Sequence, residues 1–285
     1  MEIFREISPL KAFLRDVRAQ GRSIGLVPTM GALHEGHLAL LKASANENSI
    51  TICSIYVNPA QFNNPVDLEK YPRTLESDIE ILKKVGCDAL FYPDNIEMYP
   101  SEPSISFDFG PLDKVLEGAF RPGHFSGVAL VVSKFFNIVL PDQVYFGQKD
   151  WQQFLVVKRL ADELMFGLTL RCIPTAREAD GLAQSSRNKR LSDAQRAQAT
   201  LLYRALTEAA QALIAKVALE DVKKKVQEMF ARQTGIRLEY FELVNSTNLN
   251  TLRGVEGADR PMLCIAGYIG DVRLIDNMFL DLPSN

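Results

Sequence analysis

The histidines are the most distinctive candidates for chemistry in this chain. Only three occur among 285 residues, and His34 and His37 lie together in the segment 28–37, PTMGALHEGH. The pattern predicts the end of a strand, a turn at Gly31 and the start of a helix. Backbone N–H groups and the dipole at such a terminus form a site for phosphate, to which two imidazoles would add donors. A structural alternative stays open, in which His34 caps the helix and His37 is a core residue.

His34 and His37 also resemble a zinc motif superficially. The metalloprotease pattern H-E-x-x-H places both ligands on one helix at i and i+4, whereas these histidines stand at i and i+3 and begin in a turn. The spacing therefore disfavours metal ligation by this pair. The chain also lacks a G-x-x-x-x-G-K-[ST] loop, and no G-x-G-x-x-G motif follows its first buried strand. Nucleotide binding by either of those routes is not expected.

Further residues could take part in phosphate or hydroxy-acid chemistry. Lys149 stands in the turn 147–150 before a predicted helix, where a positive charge opposes the helix dipole and so hints at function. Gln61 and Gln153 are neutral amides in apolar or aromatic surroundings, suited to the hydroxyls and carboxylate of a small hydroxy acid. The segment 185–188 offers two hydroxyls and a guanidinium. Their structural alternatives are a solvated lysine, surface amides and a helix N-cap region.

Hydrophobic patterning predicts the elements that must position these residues. Through about residue 175, short apolar runs alternate with helix-period segments, which is typical of parallel strands joined by crossover helices. The predicted strands are Ser23–Pro28, Ile50–Val57, Asp88–Tyr92, Gln143–Phe146 and Leu168–Pro174, and the predicted helices are His37–Asn48, Leu75–Val85 and Asp150–Leu164. Gly118–Gly127 is predicted as a loop, and Val128–Val139 as a helix or a strand. The prediction is an α/β fold with a Rossmann-like, doubly wound parallel sheet.

The pattern changes near Thr175, where a polar loop begins. Predicted helices follow at Asp193–Ala215 and Glu220–Gln233, and strand-like runs follow at Leu238–Val244, Met262–Tyr268 and Val272–Phe279. We therefore predict two domains, the sheet at 1–175 and a smaller C-terminal α+β domain at 176–285.

Composition narrows the possible partners. Lys and Arg (32) against Asp and Glu (35) give a net charge of -3, so no basic surplus indicates nucleic acid or an anionic membrane. No run approaches the ~18 to 20 apolar residues of a membrane helix, and the N-terminal segment lacks the apolar core of a signal peptide. The four cysteines are far apart, as expected of reduced thiols. We expect a cytoplasmic protein that binds small molecules, with no nucleic-acid or membrane partner.

Five segments carry a family resemblance. The strand, turn and histidines of PTMGALHEGH resemble the H-I-G-H superfamily of class I aminoacyl-tRNA synthetases and nucleotidylyltransferases. Together with YVNPAQF (56–62), FRPGHFSGV (120–128), YFGQKDWQQ (145–153) and PTAREADGLAQSSRN (174–188), this segment resembles the pantothenate synthetase (pantoate–β-alanine ligase) family, with the motifs in that family's order. The C-terminal third matches mainly in length and in the start of its helices.

The resemblance implies an AMP-forming ligase. Such an enzyme condenses (R)-pantoate with β-alanine to pantothenate through pantoyl adenylate, consuming ATP with Mg²⁺ and releasing AMP and pyrophosphate. Family members are commonly homodimers. The domain 1–175 would bind ATP and pantoate, and the domain 176–285 would act as a lid.

The resemblance also implies roles for individual residues. His37 would act at the α-phosphate, and His34, Lys149 and Arg187 would offset the phosphate charge. Pantoate and β-alanine would contact Gln61, Gln153 and His124, and Asp78 matches a position that can contact magnesium. The implied ATP-binding set is Met30, Gly31, His34, His37, Gly147, Gln148, Lys149, Asp150, Ala176, Gln184, Ser185, Ser186 and Arg187.

Three positions depart from the family's usual pattern. Gln148 stands where Glu is common, Leu130 where Thr is usual, and Gln184 where an apolar residue is frequent. None of these changes removes a charged or imidazole group from the reaction. Two alternatives stay open: a nucleotidylyltransferase of the same superfamily, and a non-catalytic nucleotide-binding module.

Overall fold

A computed structural model of the chain describes residues 1–256 and 258–281. Its internal contacts divide it into two compact units. The first comprises Met1–Gln148 and Gln152–Pro174, and the second comprises Lys149–Trp151 and Thr175–Asn285. The short segment Lys149–Trp151 thus belongs by its contacts to the C-terminal unit.

A six-stranded parallel sheet forms the centre of the first unit. Its strands are β1 (Glu2–Phe4), β2 (Ile24–Thr29), β3 (Ile50–Ile55), β4 (Ala89–Phe91), β5 (Gln143–Gly147) and β6 (Thr169–Ile173). The spatial order is β1-β4-β3-β2-β5-β6, with every pair parallel. The strands that follow β2 in the chain are added on one side of it as far as β4, and then on its other side from β5. Open α/β sheets bind ligands at such a switch in strand order, beyond the carboxyl ends of the strands. The predicted doubly wound sheet is confirmed.

Helices connect these strands. They are α1 (Ile7–Ala19), α2 (Glu35–Glu47), α3 (Pro65–Glu69), α4 (Leu75–Val85), α5 (Asn95–Met98), α6 (Leu116–Phe120), α7 (His124–Val139) and α8 (Trp151–Glu163). Every residue of β3 is buried, as expected for a parallel strand covered on both faces. This double coverage explains why the central strands are mostly apolar in the sequence.

Two segments of the first unit differ from the prediction. The predicted loop Gly118–Gly127 is largely helical, since α6 includes its first residues and α7 begins at His124. The ambiguous run Val128–Val139 is part of α7, a helix apolar on most of its surface because most of its residues are buried. The strand β1 and the helix α1 were not predicted, because frequent charges obscure the apolar stripe of α1.

The second unit is α+β, as predicted. It contains α9 (Asp193–Ala199), α10 (Leu201–Ile214) and α11 (Leu219–Ala231), followed by the antiparallel strands β7 (Ile236–Asn245), β8 (Pro261–Ile269) and β9 (Val272–Phe279) in the order β7-β8-β9. Helix α10 packs on β8 and β9, and α11 packs on β7. The predicted helix Asp193–Ala215 is two helices, which meet at Thr200.

No helix within residues 1–256 and 258–281 is long and apolar enough to cross a membrane. All four cysteines are thiols, with Cys53, Cys87 and Cys264 buried and Cys172 half-buried. Burial raises the pKa of Cys87 to about 12.

Candidate active site

The turn after β2 is tightly constrained. The Thr29 hydroxyl donates to the Ser54 carbonyl at 2.7 Å and accepts from the Gly31 N–H at 3.2 Å. Gly31 has a φ of 78°, and a Cβ there would lie 3.0 Å from Ile55 Cγ2 and 3.1 Å from Asp78 Oδ2. Glycine is therefore required both by the left-handed backbone and by the space available. The turn brings the chain from the end of β2 to the start of α2.

Asp78 on α4 anchors this turn. Its carboxylate accepts from the N–H groups of Ala32 and Leu33 at 2.8 Å each, and from the Thr74 hydroxyl at 3.2 Å. The residue is 1% exposed, and both of its oxygens are engaged. No group of three or more His, Cys, Asp or Glu side chains in the described part of the chain could hold a metal ion. These contacts give Asp78 an anchoring role in the turn, and a contact of its carboxylate with magnesium stays a prediction.

His34 is the N-cap of α2. Its Nδ1 accepts a hydrogen bond from the Gly36 N–H at 3.1 Å. A nitrogen that accepts from an N–H carries no proton, so the neutral ring holds its proton on Nε2. The rings of His34 and His37 lie 4.1 Å apart between centroids, and both residues are half-buried. His34 therefore caps the helix and also has a proton on Nε2 to donate.

Gln61 lies against the same turn. It ends the 3-10 helix Pro59–Gln61 after β3 and is buried. Its Nε2 lies 3.1 Å from Met30 Sδ, and its Oε1 accepts from Asn58 Nδ2 at 3.1 Å. The fold thus brings two predicted site residues, Met30 and Gln61, into direct contact.

His124 joins this cluster at the first residue of α7. Its Nδ1 lies 2.8 Å from the Gln61 carbonyl oxygen, and its Nε2 lies 3.1 Å from Arg121 Nη1. Arginine only donates and a carbonyl only accepts, so Nε2 accepts and the neutral ring carries its proton on Nδ1. The buried third histidine therefore holds the backbone of Gln61 in place.

Gln153 is half-buried on α8. Its neighbour Gln152 is buried, donates to the carbonyls of Leu112 and Val115, and accepts from the Glu117 N–H. Adjacent residues of a helix do not face each other, so Gln152 has a structural role that does not extend to Gln153.

Lys149 and Asp150 belong to the second unit. The Lys149 side chain is 16% exposed, and its Nζ lies 3.5 Å from Asp150 Oδ1. Its carbonyl oxygen accepts from Asn277 Nδ2 at 2.9 Å, and Trp151 Nε1 donates to the Ser246 carbonyl at 2.7 Å. Gly147 and Gln148, which precede this turn, end the first segment of the other unit.

A hairpin-like loop in the second unit carries the remaining predicted residues. The Gln184 N–H donates to the Ala176 carbonyl at 2.9 Å. Ser185 caps the 3-10 helix Ser186–Arg190, and its Oγ accepts from the Arg187 N–H at 3.3 Å. Ser186 is buried and Arg187 is half-buried. The predicted N-cap is therefore present, although it caps this short helix, while Ser192 caps α9.

Sequence reasoning missed Asn58 and the pair Asp276–Asn277. Asn58 donates to Gln61 and to the Gly127 carbonyl, and it accepts from the Tyr99 hydroxyl at 2.8 Å. Burial raises the pKa of Tyr99 to about 12, so this hydroxyl keeps its proton. The motif YVNPAQF contains Asn58, but spacing alone did not separate its role from that of a turn former. No sequence signal marked the pair on β9.

Comparison with known proteins decides the family. The family model described as Pantoate-beta-alanine ligase matches residues 2–279. Pantothenate synthetases from Bacteroides thetaiotaomicron and Cytophaga hutchinsonii are each 44% identical, over 98% and 97% of this chain and 98% of each relative. The chain belongs to the pantoate-beta-alanine ligase family.

Solved members of the pantoate-beta-alanine ligase family have the same fold. The pantothenate synthetase from Thermus thermophilus is 38% identical with a TM-score of 0.92, covering 99% of this chain and all of that one. The pantoate-beta-alanine ligase from Francisella tularensis, solved with beta-gamma ATP and beta-alanine, is 34% identical with a TM-score of 0.82 and covers 99% of each chain. The resemblance carried by five motifs between residues 28 and 188 is confirmed and extends to residue 279.

Proposed function

We propose that this chain catalyses the ATP-dependent condensation of (R)-pantoate with β-alanine to pantothenate. The reaction runs through pantoyl adenylate and releases AMP and pyrophosphate. Membership of the pantoate-beta-alanine ligase family supports this assignment, as does the relative solved with ATP and β-alanine compounds.

In the first step, a pantoate carboxylate oxygen attacks the α-phosphorus of ATP. The bond from that phosphorus to the bridging oxygen breaks, and its electrons leave with pyrophosphate. Negative charge grows on the phosphates, so donors that strengthen with this charge accelerate the step. His37 would act at the α-phosphate. The Nε2 proton of His34, the ammonium of Lys149 and the guanidinium of Arg187 would offset the charge of the pyrophosphate.

In the second step, the β-alanine amine attacks the acyl carbon of pantoyl adenylate. The acyl–oxygen bond breaks, AMP leaves with its electrons, and the amine loses a proton as the amide forms. Gln61 and Gln153 would hold the hydroxyls and carbonyl of the pantoyl group. His124 would act through Gln61, because its Nδ1–H fixes the Gln61 carbonyl.

The capped turn after β2 is the observation that carries this proposal. Gly31, Asp78 and the His34 cap together fix a helix N-terminus with two adjacent, tilted imidazoles at the carboxyl end of the sheet. This arrangement suits an anion that gains charge during a reaction, because its donors are oriented before the ligand arrives.

Mg²⁺ would arrive on the phosphates of ATP, as is usual for this ion, and no step is assigned to it. We propose a homodimer, as is common in the family, which light scattering during size exclusion would detect.

A cytoplasmic location is supported by four cysteines that are all thiols, as is typical of a reducing compartment.

Product analysis tests the function directly. Purified protein with ATP, magnesium and pantoate should release pyrophosphate and form pantoyl adenylate, and added β-alanine should then yield AMP and pantothenate in equal amounts. His37→Ala should bind ATP but lose turnover. If the amine released no AMP, the chain would instead act as a nucleotidylyltransferase; if ATP were bound but never consumed, it would be a binding module.

A further inference from the structure

Two consecutive residues of β9 contact two separate segments that carry predicted phosphate-binding residues. Asn277 donates from Nδ2 to the Lys149 carbonyl at 2.9 Å. Asp276 binds Arg177, which stands one residue after Ala176 at the base of the loop that ends in Ser185–Arg187. Both β9 residues are buried.

The Asp276–Arg177 contact is bidentate. Arg177 Nη1 lies 2.6 Å from Asp276 Oδ2, and Nη2 lies 2.9 Å from Oδ1. Nη1 also donates to the Gly181 carbonyl at 3.0 Å, and the guanidinium lies 4.4 Å from the centre of the Tyr203 ring. A planar arginine held at both ends has few alternative orientations. Arg177, at the base of the hairpin-like loop, therefore links Gly181, at its tip, to the Asp276 carboxylate.

The Asp276–Arg177 contact and the Asn277–Lys149 contact are also linked to each other through the backbone of Asn277. Asp276 Oδ1 also accepts from the Asn277 N–H at 2.8 Å, and Arg177 Nη2 lies 3.4 Å from the Asn277 carbonyl oxygen. Burial raises the pKa of Asp276, while the charges of Arg177 and Lys149 oppose that shift. A displacement of either segment would therefore disturb the group that holds the other.

We propose that Asp276 and Asn277 are positioning residues that join the Lys149 turn and the 176–187 loop into one preorganised phosphate-binding set. The inference rests on the proposed function, because it takes both segments to bind the phosphates of ATP. Preorganisation lowers the cost of ordering these segments when ATP binds. Neither β9 residue needs to touch ATP for this effect.

Substitutions at Asn277 test the proposal. Asn277→Ala removes the donor and leaves space, whereas Asn277→Asp keeps the shape but cannot donate. Both should raise the Kd for ATP, measured calorimetrically without pantoate, by about tenfold, as expected for the loss of a hydrogen bond. The KM for pantoate should stay within about twofold of wild type, since the pantoate contacts lie elsewhere.

Gln198→Ala is the matched control. Gln198 also donates from a side-chain amide to a backbone carbonyl, that of Thr234, at 2.8 Å, and it lies in the same unit. This bond is exposed, so its loss should change neither the Kd for ATP nor, by more than a little, the Tm. An Asn277 variant that lowers the Tm with an unchanged Kd for ATP would overturn the proposal.

Arg177→Lys supplies the test from the other segment and covers the case in which Asn277 variants do not fold. Lysine keeps the charge but cannot bridge both Asp276 oxygens, so the Kd for ATP should again rise by about tenfold. The double variant with Asn277→Ala should fall short of the product of the single effects, because both substitutions disrupt one set. Multiplicative effects would refute the joining of the two segments.

If these changes in ATP affinity appear in a chain that makes no pantothenate, the proposed function fails and the positioning inference stands.

Discussion

The substitution Asp78→Asn distinguishes two roles for this carboxylate, an anchor of the turn after β2 and a magnesium ligand. The wild-type carboxylate accepts from two backbone N–H groups at 2.8 Å each. An asparagine of the same shape has one oxygen and one NH₂ group, so the NH₂ group would face a backbone donor. One charge-assisted bond would be lost, and one buried N–H of Ala32 or Leu33 would have no acceptor.

The expected cost follows from these contacts. A hydrogen bond to a charged group contributes about 1.5 to 3 kcal/mol, and a buried donor without a partner costs about 1 to 3 kcal/mol. The two effects together predict a loss of roughly 3 to 5 kcal/mol in the free energy of unfolding, because Asp78 is 1% exposed and water cannot replace the lost acceptor. Since 1 kcal/mol shifts the Tm by about 2 to 4 °C in a domain of this size, the Tm should fall by roughly 10 °C.

Urea unfolding measures the change in stability, and activity titrated with magnesium measures the change in the magnesium requirement. Glu76→Gln is the control, since Glu76 lies in the same first turn of α4 and is exposed; its unfolding free energy should change by less than about 0.5 kcal/mol. An Asp78→Asn protein with wild-type stability and a tenfold higher magnesium requirement would refute the anchoring argument and assign Asp78 to the metal.

Three further predictions concern the turn, its histidine and a thiol. Gly31→Ala should lose stability and activity, whereas Gly86→Ala, with a similar φ of 80° but no atom within 4 Å of the added Cβ, should lose only the left-handed strain of about 1 to 2 kcal/mol; urea unfolding compares them. His34→Asn keeps an N-cap acceptor but lacks Nε2, so stability should hold while kcat falls roughly a hundredfold, whereas His34→Ala should also lose about 1 kcal/mol of unfolding free energy. Burial raises the pKa of Cys172 from 9.0 to about 11, so its rate of labelling by iodoacetamide, followed by mass spectrometry, should keep rising between pH 9 and pH 11.

Each prediction has a clear contrary result. Equal losses in the two glycine variants would mean that Ile55 and Asp78 do not restrict the turn. A fully active His34→Asn would remove the Nε2 donor from the mechanism. Labelling of Cys172 that levels off by pH 9 would contradict a pKa raised by burial, because the thiolate fraction would already be complete there.

The sequence predicted the sheet well, since burial on both faces makes parallel strands mostly apolar. The strands at β2, β3 and β9 were found within a few residues of their ends. The loop predicted at Gly118–Gly127 was wrong, because three glycines and a proline suggested a turn where α7 in fact begins at His124. Gly127 lies within α7 and allows the helix to pack closely against Ala60. A Cβ at Gly127 would lie 2.1 Å from the Ala60 carbonyl oxygen, so this glycine serves close packing and not a turn.

From spacing alone, the candidate site was predictable only where its residues are local in sequence, and the grouping of distant residues such as Gln61 and His124 with it rested on the family resemblance. His34, His37 and Gly31 lie within one segment, so spacing alone could connect them. Asp276 and Asn277 lie about a hundred residues or more from the segments they hold, and nothing in the residues around β9 distinguishes them from other polar strand positions. Such partners become visible only when the tertiary structure brings them together.

The role of His34 as a helix cap and its proposed role as a donor to phosphate both depend on one hydrogen bond. A capping side chain must accept from a backbone N–H of the first helical turn, and an imidazole can accept only through a nitrogen without a proton. The Gly36 N–H occupies Nδ1 in this way, which leaves the proton of the neutral ring on Nε2. Capping thus selects the tautomer that can donate to a phosphate oxygen, and the helix that the cap stabilises supplies the dipole that favours the same anion.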